Sequence, residues 1–458
     1  MQERIARSDA QINKDLLRPV LGFPIWMVPV AGVVTLILAA GMSAAGYLIN
    51  QGVGVLGLNR PVYWAFLITN FVFWVGISHA GVMLSAILRL THAEWRRPMV
   101  RAAEVLTIFS LATAALMPVI HSGRPWRTMY WAFPYDWIRR AWPDPRSALV
   151  WDPSAIFTYL TGSLLFVLIT LIPDIAAIRD RSRGWPKAIY SVLALGWRGT
   201  ERQWRLQAIA GIMLSALILP VFVSVHSIVS WDFGMAVSTE TWHTTIFAPY
   251  FVIGAVHSGV AAVITMMVLL RVGFNWRGYI RLEHFDAIGR LLAVVGITWF
   301  FFLLLEFFFG MYGLEPQEIA VRQLQVFTWP WRMLVIIFLL CAFIIPVPLW
   351  FFRGVRRNIF LMFVTSVLVN IGMWLERLLL IVPGLARKTP FEFTWGMYAP
   401  SPIEVLIVVG TFALVIMGVL TFAKLFPLIP LSEEKEGQTV ATEIVIGKRH
   451  VPAVVKED

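Results

Sequence analysis

Long apolar runs and short polar breaks alternate along nearly the whole chain. The runs reach about 20 residues or more, the length that crosses the hydrocarbon core of a bilayer. They predict membrane spans at residues 23–49, 62–89, 101–120, 153–178, 206–230, 244–271, 286–312, 329–352, 358–382 and 402–427. In lipid, backbone N–H and C=O groups must bond within their own segment or in a closed barrel. These runs lack the short alternation of barrel strands. The predicted fold is an all-α integral membrane protein with about ten transmembrane helices.

Ten crossings bring both termini to one face. Of the 38 Lys and Arg residues, 27 fall on that face in tails, loops and helix ends, and 11 on the other. This asymmetry predicts cytoplasmic termini. Composition agrees: the chain is 58% hydrophobic and 14% charged, with 21 Trp and 32 Phe, too little charge to clothe a soluble protein of 458 residues. The net charge of +11 is divided among loops, which argues against nucleic-acid binding. A single cysteine, Cys341, excludes a disulfide framework and any Cys-ligated iron–sulfur or zinc centre built from this chain alone. Residues 1–19 are polar and lack the apolar core of a signal peptide.

One pattern is written twice. Gly76-Ile77-Ser78-His79-Ala80-Gly81-Val82 and Gly254-Ala255-Val256-His257-Ser258-Gly259-Val260 lie 178 residues apart, each inside an apolar span. Both histidines lie in helices running from the outer face inward, so the repeat is parallel. The pattern predicts two four-helix bundles, spans 2–5 and spans 6–9, with spans 1 and 10 peripheral. In residues, this gives a cytoplasmic segment 1–22, a first helix and loop 23–61, a first bundle 62–230, a second bundle 231–382, a last helix 383–427 and a cytoplasmic tail 428–458. The same small residues also suit two unrelated Gly-rich packing faces. The outer loop 121–151 carries Trp126, Tyr130, Trp131, Phe133, Tyr135, Trp137, Trp142 and Trp151, and reads as an aromatic lid at the membrane surface. The basic inner loop from Arg179 to Arg205 reads as an amphipathic surface segment.

Ionisable residues gather near the outer ends of the spans. His121 closes span 3 and is followed by Arg124, Asp152 opens span 4, and His226 and Asp232 lie near the end of span 5. Glu306 lies within span 7, and Glu376 with Arg377 near the end of span 9. Bases and carboxylates at one depth beneath an aromatic lid suit a ligand that arrives through lipid and exchanges protons with water. A quinol is such a ligand: its oxidation releases two protons, and a His–carboxylate pair can take them. His121 with Asp152 is the preferred pair, with Asp232 and His226 as second candidates. Asp152-Pro153 also reads as a helix cap with Pro in the first turn. Glu376 and Arg377, being adjacent, are expected to face different neighbours. His79 and His257 allow three readings: a proton path helped by Ser78, Ser85, Glu306, Ser258 and Thr265, a bis-His haem site, or simple packing contacts. Phosphate-binding glycine loops, HExxH and a Ser–His–Asp arrangement are absent from the sequence.

With Gly-x-x-His-x-Gly-Val, the run His121-Ser122-Gly123-Arg124-Pro125 and the start Trp151-Asp152-Pro153, the chain resembles the NrfD/PsrC family of membrane anchors over nearly its whole length. Within that family the pattern is most similar to the ActC subunit of alternative complex III. The resemblance implies a subunit of a respiratory or photosynthetic complex that holds no haem or iron–sulfur cluster of its own. It implies menaquinol oxidation near the periplasmic face, with electrons passing to an iron–sulfur subunit docked there and on to c-type cytochrome subunits. A homologous NrfD-like membrane subunit is a further implied partner, and proton translocation through the bundles a further implied activity. The quinone site it implies is lined by His121, Asp152 and Asp232. Arg124, Glu306 and Arg377 are added as quinone-binding candidates from their position. Two other classes remain: a secondary transporter, which should show helix breaks at matching places in both halves, and a structural anchor without its own quinone site.

Overall fold

A computed structural model describes residues 7–58, 62–130, 148–234, 239–242, 244–386, 398–439, 442–447 and 449–453. Among them, ten helices are long and apolar enough to cross a membrane. Spans 1 to 5 are Met27–Gln51, Ala65–Leu90, Val100–His121, Ala148–Arg181 and Glu201–Asp232. Spans 6 to 10 are Phe247–Gly273, Leu282–Tyr312, Trp331–Leu349, Ile359–Ala386 and Pro402–Leu425. All ten match the hydropathy pattern, but several run past the predicted edges. Apolar length marks only the part in lipid, whereas capping chemistry sets where a helix stops. Span 5 begins at a capping box in which the Thr200 side chain accepts from the Gln203 backbone and the Gln203 side chain accepts in return. Span 10 begins the same way at Ser401 and Glu404, with Pro402 in the first turn.

The membrane fold is all-α as expected, and the tail beyond it adds one short hairpin. Thr442–Ile446 and Arg449–Ala453 form an antiparallel hairpin with Ile446 opposite Arg449. Its turn passes through Gly447 at φ 65°, in the left-handed region that glycine enters without strain. The β-branched residues of the first strand favour this pairing over a helix.

Span 2 is the hub. It is buried along nearly all its length and packs against spans 3, 5, 6 and 9. Span 6 in turn packs against spans 2, 5, 7 and 9. The duplicated motif lies at the crossing of spans 2 and 6. A methyl group placed on Gly259 would sit 2.2 Å from the Ala80 side chain, and one on Gly76 would touch Ser258 and Ala255. Small residues therefore let these two backbones approach closely, as lipid-embedded helices require where no hydrophobic force drives them together. Spans 1 and 10 cross at Gly41 and Gly410, where an added methyl would lie 2.6–2.7 Å from the opposing Cα. Span 10 is tied to span 2 by Asn70 and Trp74, whose side chains donate to Thr411 Oγ1 at 3.0 and 2.9 Å. Spans 4 and 5 run side by side, 34 and 32 residues long.

Span 8 is interrupted. A π-turn over Leu340–Ile344 precedes Pro346 and Pro348. Pro346 has no N–H to give to the carbonyl four residues earlier, that of Ala342. His257 fills that place, its Nε2 lying 3.1 Å from the Ala342 oxygen.

Candidate functional site

Because spans 4 and 5 are antiparallel neighbours, the start of one meets the end of the other on the face opposite the termini. There the carboxyl of Asp152 lies within hydrogen-bond reach of the carboxyl of Asp232. Two carboxyl groups hold such a contact only with a proton between them. Among the described residues no N–H or O–H reaches Asp232, which is 8% exposed, so its one polar neighbour is Asp152. His226 lies six residues before Asp232 on the same helix, about 9 Å deeper at 1.5 Å per residue. It is fully buried, and neither ring nitrogen has a hydrogen-bond partner among the described residues.

The His226 ring stands 4.6 Å, centroid to centroid, from that of His79 on span 2. His79 Nδ1 donates to the Val75 carbonyl, which fixes its tautomer and leaves Nε2 unpartnered among the described residues. Tyr159 stacks on the other side of His79 at 4.9 Å and donates its hydroxyl to the Ser78 carbonyl at 3.1 Å. Asp152, Asp232, His226 and His79 thus form a line running from the far face to the middle of span 2. Sequence reasoning missed Tyr159. The available signal was its spacing: it follows Asp152 by seven residues, two helical turns, and shares its face.

His121 sits at the same end, on span 3 next to span 4. Its ring lies 5.8 Å from that of Trp64, and its Nδ1 is buried with no partner among the described residues. No hydrogen bond joins His121 to Asp152 among the described residues. The carboxyl partner of Asp152 is Asp232, because helix pairing brings those two ends together. Arg124 is exposed just beyond. Most of the expected aromatic lid, including Trp131, Phe133, Tyr135, Trp137 and Trp142, lies outside the described residues.

The remaining candidates do not converge on this point. Their polar contacts form two other nests. Glu376 accepts from the Tyr250 hydroxyl and from Trp299 Nε1 at 3.1 Å. Both residues reach other helices as expected, but Arg377 Nη1 also lies 2.7 Å from Glu376, so the two meet each other as well. The long arginine side chain curls back and lies over the Phe251 ring at 4.8 Å, and Phe251 touches His226 at 5.7 Å. Glu306 accepts from Thr244, lies 3.6 Å from Arg322, and that arginine also meets Glu318 at 3.4 Å. Arg322, on the short helix Pro316–Phe327, went unremarked in the sequence because it lies outside every span.

His257 and His79 have separate surroundings. The His257 ring stacks on Trp299 at 5.2 Å while Nε2 donates to Ala342. His257 thus does the packing work that a Pro-broken helix requires. Ser258 and Thr265 bond carbonyls of their own helix, Thr265 also Ser366 at 2.8 Å. Ser85 donates to Glu104 at 2.5 Å. Glu104 belongs to a buried ionic group with Arg101, which reaches Asp174 at 3.2 Å. This group lies toward the termini face and was not picked out from the sequence. No cluster of three or more metal-ligating side chains occurs among the described residues.

A cavity of about 820 Å³ opens at the termini face and is lined by none of the Asp152 cluster.

Residues 54–388 match the family described as polysulphide reductase, NrfD. A protein of Halobacterium salinarum, named as a membrane subunit of a dimethyl sulfoxide reductase, is 23% identical over 430 residues, covering 87% of this chain and 90% of that protein. The integral membrane subunit of an Hdr-like menaquinol oxidoreductase from Archaeoglobus fulgidus is 22% identical over 425 residues, covering 86% and 93%.

Proposed function

The chain belongs to the NrfD family, and from that premise we propose that it is the quinol-oxidising membrane subunit of an electron-transfer complex. The substrate is menaquinol, the substrate named for the Archaeoglobus relative. It enters from lipid near the face opposite the termini, which the Lys/Arg asymmetry assigns to the periplasm. Oxidation turns each quinol into quinone, two protons and two electrons. The electrons leave to an iron–sulfur subunit docked on that face, then to c-type cytochrome subunits, in a complex of the alternative complex III type with a second NrfD-like subunit beside this one.

The observation that carries this reading is the pair of half-buried Asp152 and buried Asp232 standing above His226 and His79. In its singly protonated form the pair accepts one quinol proton and hydrogen-bonds the other hydroxyl. His121, with a buried nitrogen that has no partner among the described residues, takes the second at the same end. His226 and His79 offer a branch inward along which a proton moves from mid-membrane, toward Ser85 and the Arg101–Glu104–Asp174 group. Arg377 and Glu306 act at one remove: Arg377 borders His226 through Phe251, and Glu306 lies on span 7 beside Thr244 and Arg322.

The test is quinol:acceptor turnover by the intact complex carrying Asp152→Asn or His121→Ala. A loss in both supports the proposal. Unchanged turnover in both leaves a structural anchor, with the quinone site on another subunit.

A further inference from the structure

The cavity at the termini face has its own chemistry. It lies between the inner ends of spans 2, 4 and 5 and the C-terminal helix Leu431–Thr439. Its floor already holds an anion: Glu433 of that helix accepts from Arg89 at 2.7 Å and Arg96 at 2.5 Å, and Arg97 donates to the Glu433 carbonyl at 2.8 Å. Its mouth is different. Arg181 and Arg198 line it and pair with no carboxylate among the described residues. The surrounding segment 179–205 has seven Lys and Arg against two acidic residues.

The wall beside these arginines is greasy. Trp197, Trp204 and Ile212 line the cavity, and Ile212 is itself 50% exposed. From it an exposed apolar stripe continues along span 5 through Ile209 and Met213. On the other side, helix Trp185–Leu193 leaves Trp185 83% and Val192 74% exposed, an apolar edge that belongs at the bilayer interface. Guanidinium groups with no carboxylate partner among the described residues, interfacial tryptophans and a lipid-facing stripe meet at one opening. Arginine presents a planar fork that matches phosphate oxygens.

We propose that this cavity binds an anionic phospholipid, with the phosphodiester head between Arg181 and Arg198 and the acyl chains along span 5 from Ile212. A basic pocket between helix ends at the membrane surface suits such a head. Free phosphate shares the head chemistry but has nothing to lay on Ile212 and Met213. A zwitterionic lipid places a choline against the arginines and is disfavoured.

The intact complex, stripped of lipid in detergent, is equilibrated with mixed micelles in which phosphatidylglycerol is the minor lipid and phosphatidylcholine the major one. Retained lipid is then quantified by mass spectrometry. The expected result is several-fold enrichment of phosphatidylglycerol over its share of the micelle. The double variant Arg181→Gln/Arg198→Gln should lose that enrichment, while Arg353→Gln, exposed on the same face between spans 8 and 9, keeps it. Both altered side chains are exposed, so the fold is preserved, which a matching thermal unfolding midpoint verifies. Retention at the micelle ratio overturns the proposal, as does enrichment unchanged in the double variant. Enrichment abolished by millimolar inorganic phosphate also overturns it, and assigns the site to a free anion.

Discussion

Replacing Asp232 with Asn separates chemistry from architecture at the carboxyl pair. The side chain is 8% exposed, and Asp152 is its one polar neighbour among the described residues. Asn keeps the volume, and its amide N–H donates to the Asp152 carboxylate, so the contact survives without a shared proton. What disappears is a proton acceptor. General acid–base groups contribute about 10²–10⁴-fold to rate, or about 2.7–5.4 kcal/mol at 1.36 kcal/mol per decade. Turnover of a short-chain menaquinol analogue by the intact complex should therefore fall by at least about a hundredfold. Thermal unfolding in the same detergent should barely move. Asp232→Ala provides the contrast. It leaves the Asp152 carboxyl without its hydrogen-bond partner, which costs about 1–3 kcal/mol, so both readouts should drop. An Asn variant that turns over within about twofold of the parent would refute the assignment of this pair to the substrate proton, since the smallest general-base effect is far larger.

Three other outcomes follow from packing and charge. His257→Gln keeps a donor near the Ala342 carbonyl and should leave thermal stability close to that of the parent, whereas His257→Leu orphans that carbonyl and should lose about 1–3 kcal/mol; equal midpoints would remove the structural role given to His257. Gly259→Leu drives a side chain into Ala80 at the crossing of spans 2 and 6, and overpacking of about 1–3 kcal/mol should appear as a lower unfolding midpoint, with no change if the helices are freer to separate than the 2.2 Å approach implies. For Glu433, burial alone pushes the carboxyl up, but Arg96, Arg89, Arg97 and Arg101 outweigh it and hold the group below its ordinary value of 4.5. A lowered folded-state value means stabilisation that is present above pH 4.5 and lost as pH falls through the lower value. Hydrogen exchange of 431–439 should accordingly stay slow at neutral pH and accelerate only in strong acid, while Glu433→Gln accelerates it at pH 7; an unaltered variant would mean that the arginines do not hold the tail.

The spans were legible because lipid imposes a length and a polarity on every crossing segment, independent of what it packs against. The duplicated Gly-x-x-His-x-Gly-Val run was legible too, and its small residues do what such residues do in membranes: Gly259 meets Ala80, and Gly76 meets Ser258. Not every helix end was: span 10 starts at Pro402 as the pattern has it, but the cap at Thr200 starts span 5 five residues before its apolar run.

Depth along a helix follows from the sequence, and it drew His121, Asp152, Asp232, His226, Glu306 and Arg377 to one end of the molecule. Which of them touch depends on the rotation and neighbours of each helix, and these are set by long-range packing. The antiparallel pairing of spans 4 and 5 made Asp232 the partner of Asp152. The approach of spans 2 and 5 put His79 against His226. The missing N–H of Pro346, nearly ninety residues away, decided what His257 does. A sequence states which groups must avoid lipid; only the fold says which of them shelter together, because each shelter is built from segments far apart along the chain.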